Sequence, residues 1–438
     1  MVTSADRPVP VTVSASYVRC LVTRAEISAL LLADEDRAAT RRTIFHIWPD
    51  YVIRPQIDRS TSTVKADAAG RTYSADGSGV VWAVLDTGIE AGHPHFAGSE
   101  PGGGTLDHPS VAGLHADFSW IVRNEPEPVQ PGPGTALTDD DGHGTHVAGI
   151  IAGRCPDDLR PLLAMIRPGI SDADLGLPQW QARPLDPGRT LAGMAPKARL
   201  VSLKVMDAGS GQPKTTSAAV IAAMEYVRRR NAWGRVLQIH GVNLSLGCPW
   251  YHREYAAGQS PLCRELNLLV GTGVVAVVSA GNGGFAESGD PHGMLSTITD
   301  PGNADRAITV GSTHRDRPHT FGVTYGSSKG PTLDGRLKPD LLAPGERITS
   351  CCAGKFRQGI PVFGDQPDGP CYAEDSGTSM AAPHVSGVIA AFLSVRNEYI
   401  GLPDEVKRIF TDSAVSLGRD RFFEGHGLVD LMGALARI

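Results

Sequence analysis

Two nearly unbroken apolar runs constrain this chain more than any other feature. Residues 79–85 read G-V-V-W-A-V-L, and residues 273–280 read G-V-V-A-V-V-S-A. A strand with one face in water alternates apolar and polar residues. A strand that is apolar on both faces belongs in a parallel sheet covered by helices on either side. The intervening segments agree. Residues 198–205 and 241–246 read as further strands, and 307–310 as a short one. Residues 215–230 read as a helix, with Ala219, Val220, Ala223, Met224 and Val227 at helical spacing. Residues 264–269, 379–393, 403–410 and 428–438 read as helices too. This alternation predicts an α/β fold, with a mostly parallel central sheet and helices on both faces.

Ahead of that pattern, residues 1–57 read as a small α+β unit. Residues 9–18 alternate like a strand. Residues 23–32 read as a helix, with Thr23 as N-cap and Glu26 completing a capping box. Residues 43–48 and 51–57 read as two more strands around a Pro49-Asp50 turn. Residues 58–78 hold Ser, Thr, Ala, Gly and Asp with almost no large apolar side chain, which is linker composition. Residues 79–438 make the main domain. Within it, residues 154–190 are rich in Pro and Asp and read as an irregular insertion.

A net charge of −6 argues against a nucleic-acid binder held by phosphate contacts. The run Arg228-Arg229-Arg230 reads as a solvated helix end. The apolar stretch 27–33 is too short to span a membrane. Asp6, Pro8 and Pro10 interrupt the place where a secretory leader would be apolar. The expectation is a soluble, cytoplasmic protein, secreted only if a leader has been trimmed away. None of the seven cysteines is spaced C-x-x-C, so no zinc site is expected. Cys248 with Cys263, or Cys371 with Cys351 or Cys352, would bridge loops in an exported protein and stay thiols in a reducing cell. Asp157, Asp158, Asp172 and Asp174 read as a solvated acidic loop, and no metal or cofactor is assigned.

Three residues at element ends carry chemistry. Asp86 follows the first apolar run, His143 lies between two glycines at a helix start, and Ser379 opens the helix 379–393. Taken singly they are a turn carboxylate, a surface histidine and a helix cap. Together they are an acid, a base and a hydroxyl nucleophile near strand ends, where open parallel sheets place their sites. Asn282, just past the second apolar run, adds a donor for a developing oxyanion, with the Ser379 backbone N–H as a second.

The segments V-L-D-T-G-I at 84–89, G-H-G-T-H-V-A-G at 142–149 and G-T-S-M-A-A-P-H-V-S-G at 377–387 resemble the signature segments of the subtilisin family of serine proteases. The order Asp, His, Ser is that family's as well. Lesser matches are G-M-A-P at 193–196, N-L-S-L-G at 243–247, S-A-G-N at 279–282, K-P-D-L-L-A-P-G at 338–345 and G-H-G-L-V at 425–429. The resemblance covers residues 79–435. It implies a subtilisin-like three-layer fold and a triad of Asp86, His143 and Ser379, with Asn282 in the oxyanion hole. Ser245, Leu246 and Gly247 match the segment that pairs with substrate backbone as an added strand. His146 matches a non-catalytic histidine. The implied activity is a serine endopeptidase working through an acyl-enzyme, with a protein or peptide substrate and no cofactor, nucleic acid or membrane. An intracellular partner protein is a further expectation. Two alternatives share the scaffold: a peptide ligase or macrocyclase, and a non-catalytic peptide-binding module. The chain departs from the family at three places. No calcium loop is recognisable after the histidine helix. Cys248 replaces the usual glycine. The N-terminal unit is shorter than the usual propeptide, and it reads equally as a reduced propeptide or as a permanently packed extension.

Overall fold

The computed structural model describes residues 11–14, 17–20, 22–36, 43–44, 59–98, 103–125, 134–171, 178–185, 190–209, 211–249, 253, 256–286, 292–363 and 371–437. The chain forms two compact units, Met1–Gln56 and Ile57–Ile438.

In the first unit, β1 (Val11–Ser14) and β2 (Tyr17–Arg19) pair antiparallel, so the span expected as one strand reverses on itself. Helix α1 (Arg24–Glu35) starts as expected: Glu26 N donates to Thr23 Oγ1 at 3.3 Å, and Thr23 N donates to Glu26 Oε2 at 2.6 Å. Near its end, the Asp34 carboxylate accepts from Thr43 N at 2.9 Å and Ile44 N at 3.1 Å. Beyond Thr43 and Ile44, the two strands expected at 43–48 and 51–57 lie outside the described residues.

The second unit begins with a correction. Residues 58–78 are not a linker: α2 (Arg59–Thr63) and α3 (Ala66–Tyr73) fill most of that span. Val64 and Ala69 are fully buried in the main core, Thr63 Oγ1 donates to Arg315 O at 2.5 Å, and Lys65 pairs with Asp430. The alanines that looked like linker composition let a helix approach its neighbours closely.

Strand β3 (Val81–Asp86) is followed by β4 (Ala116–Asp117), α4 (Ser119–Val122), α5 (His143–Ile151), β5 (Leu162–Ser171), β6 (Pro178–Pro184) and β7 (Arg199–Lys204). Then come α6 (Ser217–Arg230), β8 (Gly241–Leu244), α7 (Pro261–Gly271), β9 (Val275–Ser279), β10 (Phe285–Ala286), β11 (His292–Gly293), β12 (Ile308–His314) and α8 (Pro318–Phe321). The chain ends with β13 (Leu341–Glu346), β14 (Ile348–Cys351), α9 (Gly354–Gln358), β15 (Tyr372–Asp375), α10 (Thr378–Val395), α11 (Pro403–Ser413), α12 (Arg421–Glu424) and α13 (Leu431–Ala436).

Seven strands form a parallel sheet in the order β13-β12-β9-β8-β3-β7-β4. The side chains of β3 explain its continuous apolar run. Trp82 and Val84 pack under α5 and α10, while Val81, Ala83 and Leu85 pack under α6 and α7. The sheet is buried on both faces, and the fold has three layers. The chain leaves β3 for β7 on one side and returns to β8 on the other. Open parallel sheets place their sites at such a reversal, here at the carboxyl ends of β3 and β8.

Helix α10 is the centre of one layer, with 15 of its 18 residues buried. It is long and apolar enough to cross a membrane, yet its apolar surface is spent on this core. Phe392 meets Phe410 edge-on at 5.3 Å, and truncating Phe392 to alanine would cost about 3–5 kcal/mol.

Residues 154–190 also depart from expectation. They contain a β-hairpin in which Leu163 pairs with Arg183 and Met165 with Gln181. Strand β5 then lies parallel to β15, giving a second sheet in the order β14-β15-β5-β6. Pro178 and Pro184 bound β6, and Pro168 falls in the register shift of β5, positions where a strand tolerates proline. All seven cysteines are thiols.

Candidate active site

Asp86 is the last residue of β3 and is 1% exposed. Its Oδ1 accepts from Thr87 N at 2.8 Å and lies 2.7 Å from His143 Nδ1. A carboxylate there places the imidazole proton on Nδ1 and leaves Nε2 as an acceptor. The His143 side chain is 24% exposed. Burial pulls its pKa down, but the charge and hydrogen bond of Asp86, with the charges of Asp375 and Asp139, lift it to about 9.

Two glycines let α5 begin this close to β3. Gly142 has φ +109°, and a Cβ there would come within 2.3 Å of Ala353 O. A Cβ on Gly144 would lie 2.1 Å from Gly88 O. The free N–H groups of the helix start need a partner, and Asp139 supplies one. Its Oδ1 accepts from Gly142 N at 2.9 Å, Asp141 N at 3.2 Å and Thr87 Oγ1 at 2.9 Å. Its Oδ2 accepts from Thr145 N at 2.8 Å and Thr145 Oγ1 at 2.6 Å. Asp139 thus ties the His143 helix to the Asp86 turn. The sequence reading missed it. Its only local signal is a run of three aspartates just before Gly142-His143.

Ser379 is the second residue of α10, half-buried, after a Gly377 N-cap that offers no side chain. Thr378, the first helical residue, is capped from a neighbouring segment instead. Its N and Oγ1 both donate to Asn282 Oδ1, at 2.9 and 3.0 Å, and its Oγ1 accepts from Gly281 N at 3.2 Å. Two donors on one atom identify it as the amide oxygen. The Asn282 amide is therefore held by its oxygen, and its Nδ2 lies beside Gly377, 3.3 Å from where a Cβ would stand.

Pro383 lies inside α10 and has no N–H to give the Ser379 carbonyl. Ser245 Oγ donates to that carbonyl at 2.8 Å. Asn243 Nδ2 donates to Ser245 Oγ at 3.0 Å, and Ser386 Oγ donates to Asn243 Oδ1 at 2.9 Å. The Ser379 hydroxyl itself donates to Ser245 O at 3.3 Å. The structure thus joins Asp86 to His143, and Ser379 to Ser245, with Asn282 held through Thr378. No hydrogen bond joins Ser379 to His143.

Beyond β8, Leu246 is buried and Gly247 lies against Thr299. Among the described residues, the backbone groups of Leu246 and Gly247 have no hydrogen-bond partner. Cys248, where the resemblance leads one to expect glycine, exchanges backbone bonds of 2.9 and 3.0 Å with Asp300 and is an exposed residue. The open edge therefore survives that substitution. His146 is fully buried, with Nε2 3.2 Å from Ala373 O and its ring edge-on to Phe356. Asp157 pairs with Arg154 at 2.7 Å, and Asp172 and Asp174 lie outside the described residues.

The sequence model of the Subtilase family matches residues 77–428 of this chain. Serine protease AprX of Bacillus subtilis (strain 168) is 29% identical over 367 residues, which are 82% of this chain and 66% of AprX. The chain thus spans just under two thirds of that relative. Subtilisin DY of Bacillus licheniformis is 27% identical over 373 residues, 85% of this chain and 96% of that protein. In fold, the chain is similar to the crystal structure of MycP1 with its N-terminal propeptide removed. That similarity has a TM-score of 0.54 at 24% identity and covers 87% of this chain and 97% of the other. The family model, the parallel sheet and the residues gathered at its carboxyl edge agree: this chain belongs to the subtilase family.

Proposed function

We propose that this chain is a serine endopeptidase acting through Asp86, His143 and Ser379. The observation that carries the reading is the 2.7 Å contact between the buried Asp86 carboxylate and His143 Nδ1. It aims Nε2 as a base. The Ser379 hydroxyl turns from Ser245 O, gives its proton to Nε2, and attacks the substrate carbonyl carbon. The oxyanion forms between Asn282 Nδ2 and the Ser379 N–H, in the positive field of the α10 N-terminus. His143 then returns the proton to the leaving amine, and an acyl-enzyme remains on Ser379. Water, deprotonated by the same imidazole, releases the acid. The acyl side of the substrate lies along Leu246 and Gly247 as an added strand, using their unpartnered backbone groups.

The test compares wild type and Ser379→Ala for labelling by a fluorophosphonate and for peptide cleavage. Wild type is expected to label at Ser379 and to yield products heavier by one water in total. Ser379→Ala is expected to lose about 10⁶ in kcat and all labelling. The reading fails if wild type neither labels nor cleaves, both as the full chain and as a chain beginning at residue 57.

A further inference from the structure

Strand β15 ends at Asp375, four residues before Ser379. Strand alternation puts Ala373 and Asp375 on one face. Ala373 packs there with Ile360, Phe356 and Trp180. Phe356 continues that face to the helix start carrying His143: its Cβ is 2.9 Å from where a Gly142 side chain would stand. Its ring is also edge-on to His146 at 5.9 Å and Trp180 at 6.3 Å.

The two acids at the end of β15 are treated differently. Glu374, on the opposite face, is fully buried and paired with both Arg315 and Arg347. Asp375 is half-buried, and its carboxylate accepts from Ser376 N at 2.7 Å. Among the described residues no lysine or arginine pairs with it. Its charge nevertheless reaches His143, adding to that of Asp86.

Reaction chemistry says which part of a substrate meets this carboxylate. His143 must deliver its proton to the leaving amine, so the residue after the scissile bond lies beside His143. The acyl side lies toward Ser245 and Leu246, across Ser379. We propose that Asp375, backed by Phe356 and Trp180, determines specificity on the leaving-group side of the cleft. It selects substrates with arginine or lysine in the first or second position after the scissile bond. The aliphatic stem of such a residue covers the aromatic wall while its cation meets the carboxylate. A glutamate at the same position is repelled. This inference rests on the endopeptidase reading above.

The experiment uses the full chain and internally quenched peptides sharing one acyl side. The two positions after the scissile bond are varied among Arg, Lys, Ala and Glu, with cleavage points checked by mass spectrometry. Wild type is expected to favour Arg or Lys over Ala by about tenfold in kcat/KM, and over Glu by more. Asp375→Asn is expected to collapse that ratio, Asp375→Glu to keep it, and Asp375→Lys to invert it. A flat profile in wild type that labels with fluorophosphonate overturns this inference alone, as does a profile unchanged by Asp375→Asn. Absence of both labelling and cleavage overturns the endopeptidase reading and this inference with it.

Discussion

Ser245 Oγ donates at 2.8 Å to the carbonyl of Ser379, the carbonyl that would otherwise bond to an N–H at position 383. Pro383 has none to give. A break in the ladder of α10 is thus closed by the strand segment proposed to hold substrate, so Ser379 and that segment are fixed to each other. Replacing Ser245 with alanine leaves a carbonyl without its donor. Stability is expected to fall by about 1–3 kcal/mol in urea unfolding. Turnover is expected to fall more than KM rises, because the nucleophile, and not ground-state binding, is displaced.

The pH profile follows from His143. Its imidazole must be neutral to accept a proton, and neighbouring carboxylates hold its pKa at about 9. The acid limb of kcat/KM is expected well above the ordinary histidine value of about 6.5, with activity still rising through pH 8. Asp375→Asn removes one of the raising charges and is expected to move the limb to lower pH. The same shift adds stability that is complete below about pH 6.5 and is lost as pH rises through about 9. An acid limb at or below 6.5 would contradict this electrostatic account.

Asn282 and Thr378 form a second testable pair, linked by contacts of 2.9 and 3.0 Å to Asn282 Oδ1. Asn282→Ala is expected to lower kcat by about 10²–10³-fold with little change in KM, the magnitude established for the corresponding donor in subtilisin. Thr378→Val keeps the backbone donor and removes the hydroxyl. It is expected to lose less, about tenfold, because the amide is still held at one point. Equal losses in the two variants would mean that Thr378 does more than orient Asn282.

Asp139 is predicted to matter through position, with no contact to substrate. Alanine there strands donors from Thr87, Gly142 and Thr145, which are buried or nearly so. Each unsatisfied buried donor costs about 1–3 kcal/mol, so the unfolding free energy is expected to drop by at least about 3 kcal/mol. Residual folded enzyme is expected to show a lower kcat at nearly unchanged KM.

If the N-terminal unit is removed by processing, the new start is expected before residue 59. Val64, Ala69 and Ala75 are 0%, 0% and 1% exposed in the main core. Burying Val64 alone is worth about 1.5–3 kcal/mol. A chain beginning at residue 57 is expected to melt cooperatively, and one beginning at residue 79 to melt lower or fail to fold. N-terminal sequencing of purified protein gives the boundary directly.

The sequence by itself determined the layered α/β frame and singled out the residues proposed to bear the chemistry. Two apolar runs allowed only strands buried on both faces. Asp86, His143, Ser379 and Asn282 stood in short segments whose turn and helix-start chemistry is local. Tertiary structure decided the rest. Residues 59–73 gained helical order from the core they join, and composition reads only local preference. The hairpin β5–β6 owes its place to pairing with β15, more than 200 residues away in the chain for the Leu163–Tyr372 pair. The Asp139 cap reaches across 52 residues to Thr87, and the Ser245–Ser379 bond across 134. Such contacts depend on which chain segments the sheet order brings together, and that is a property of the folded core. For the same reason nothing local in the sequence sets Asp375 apart: it is β15 that brings it to a strand end from which its charge reaches His143, with no lysine or arginine pairing with it among the described residues.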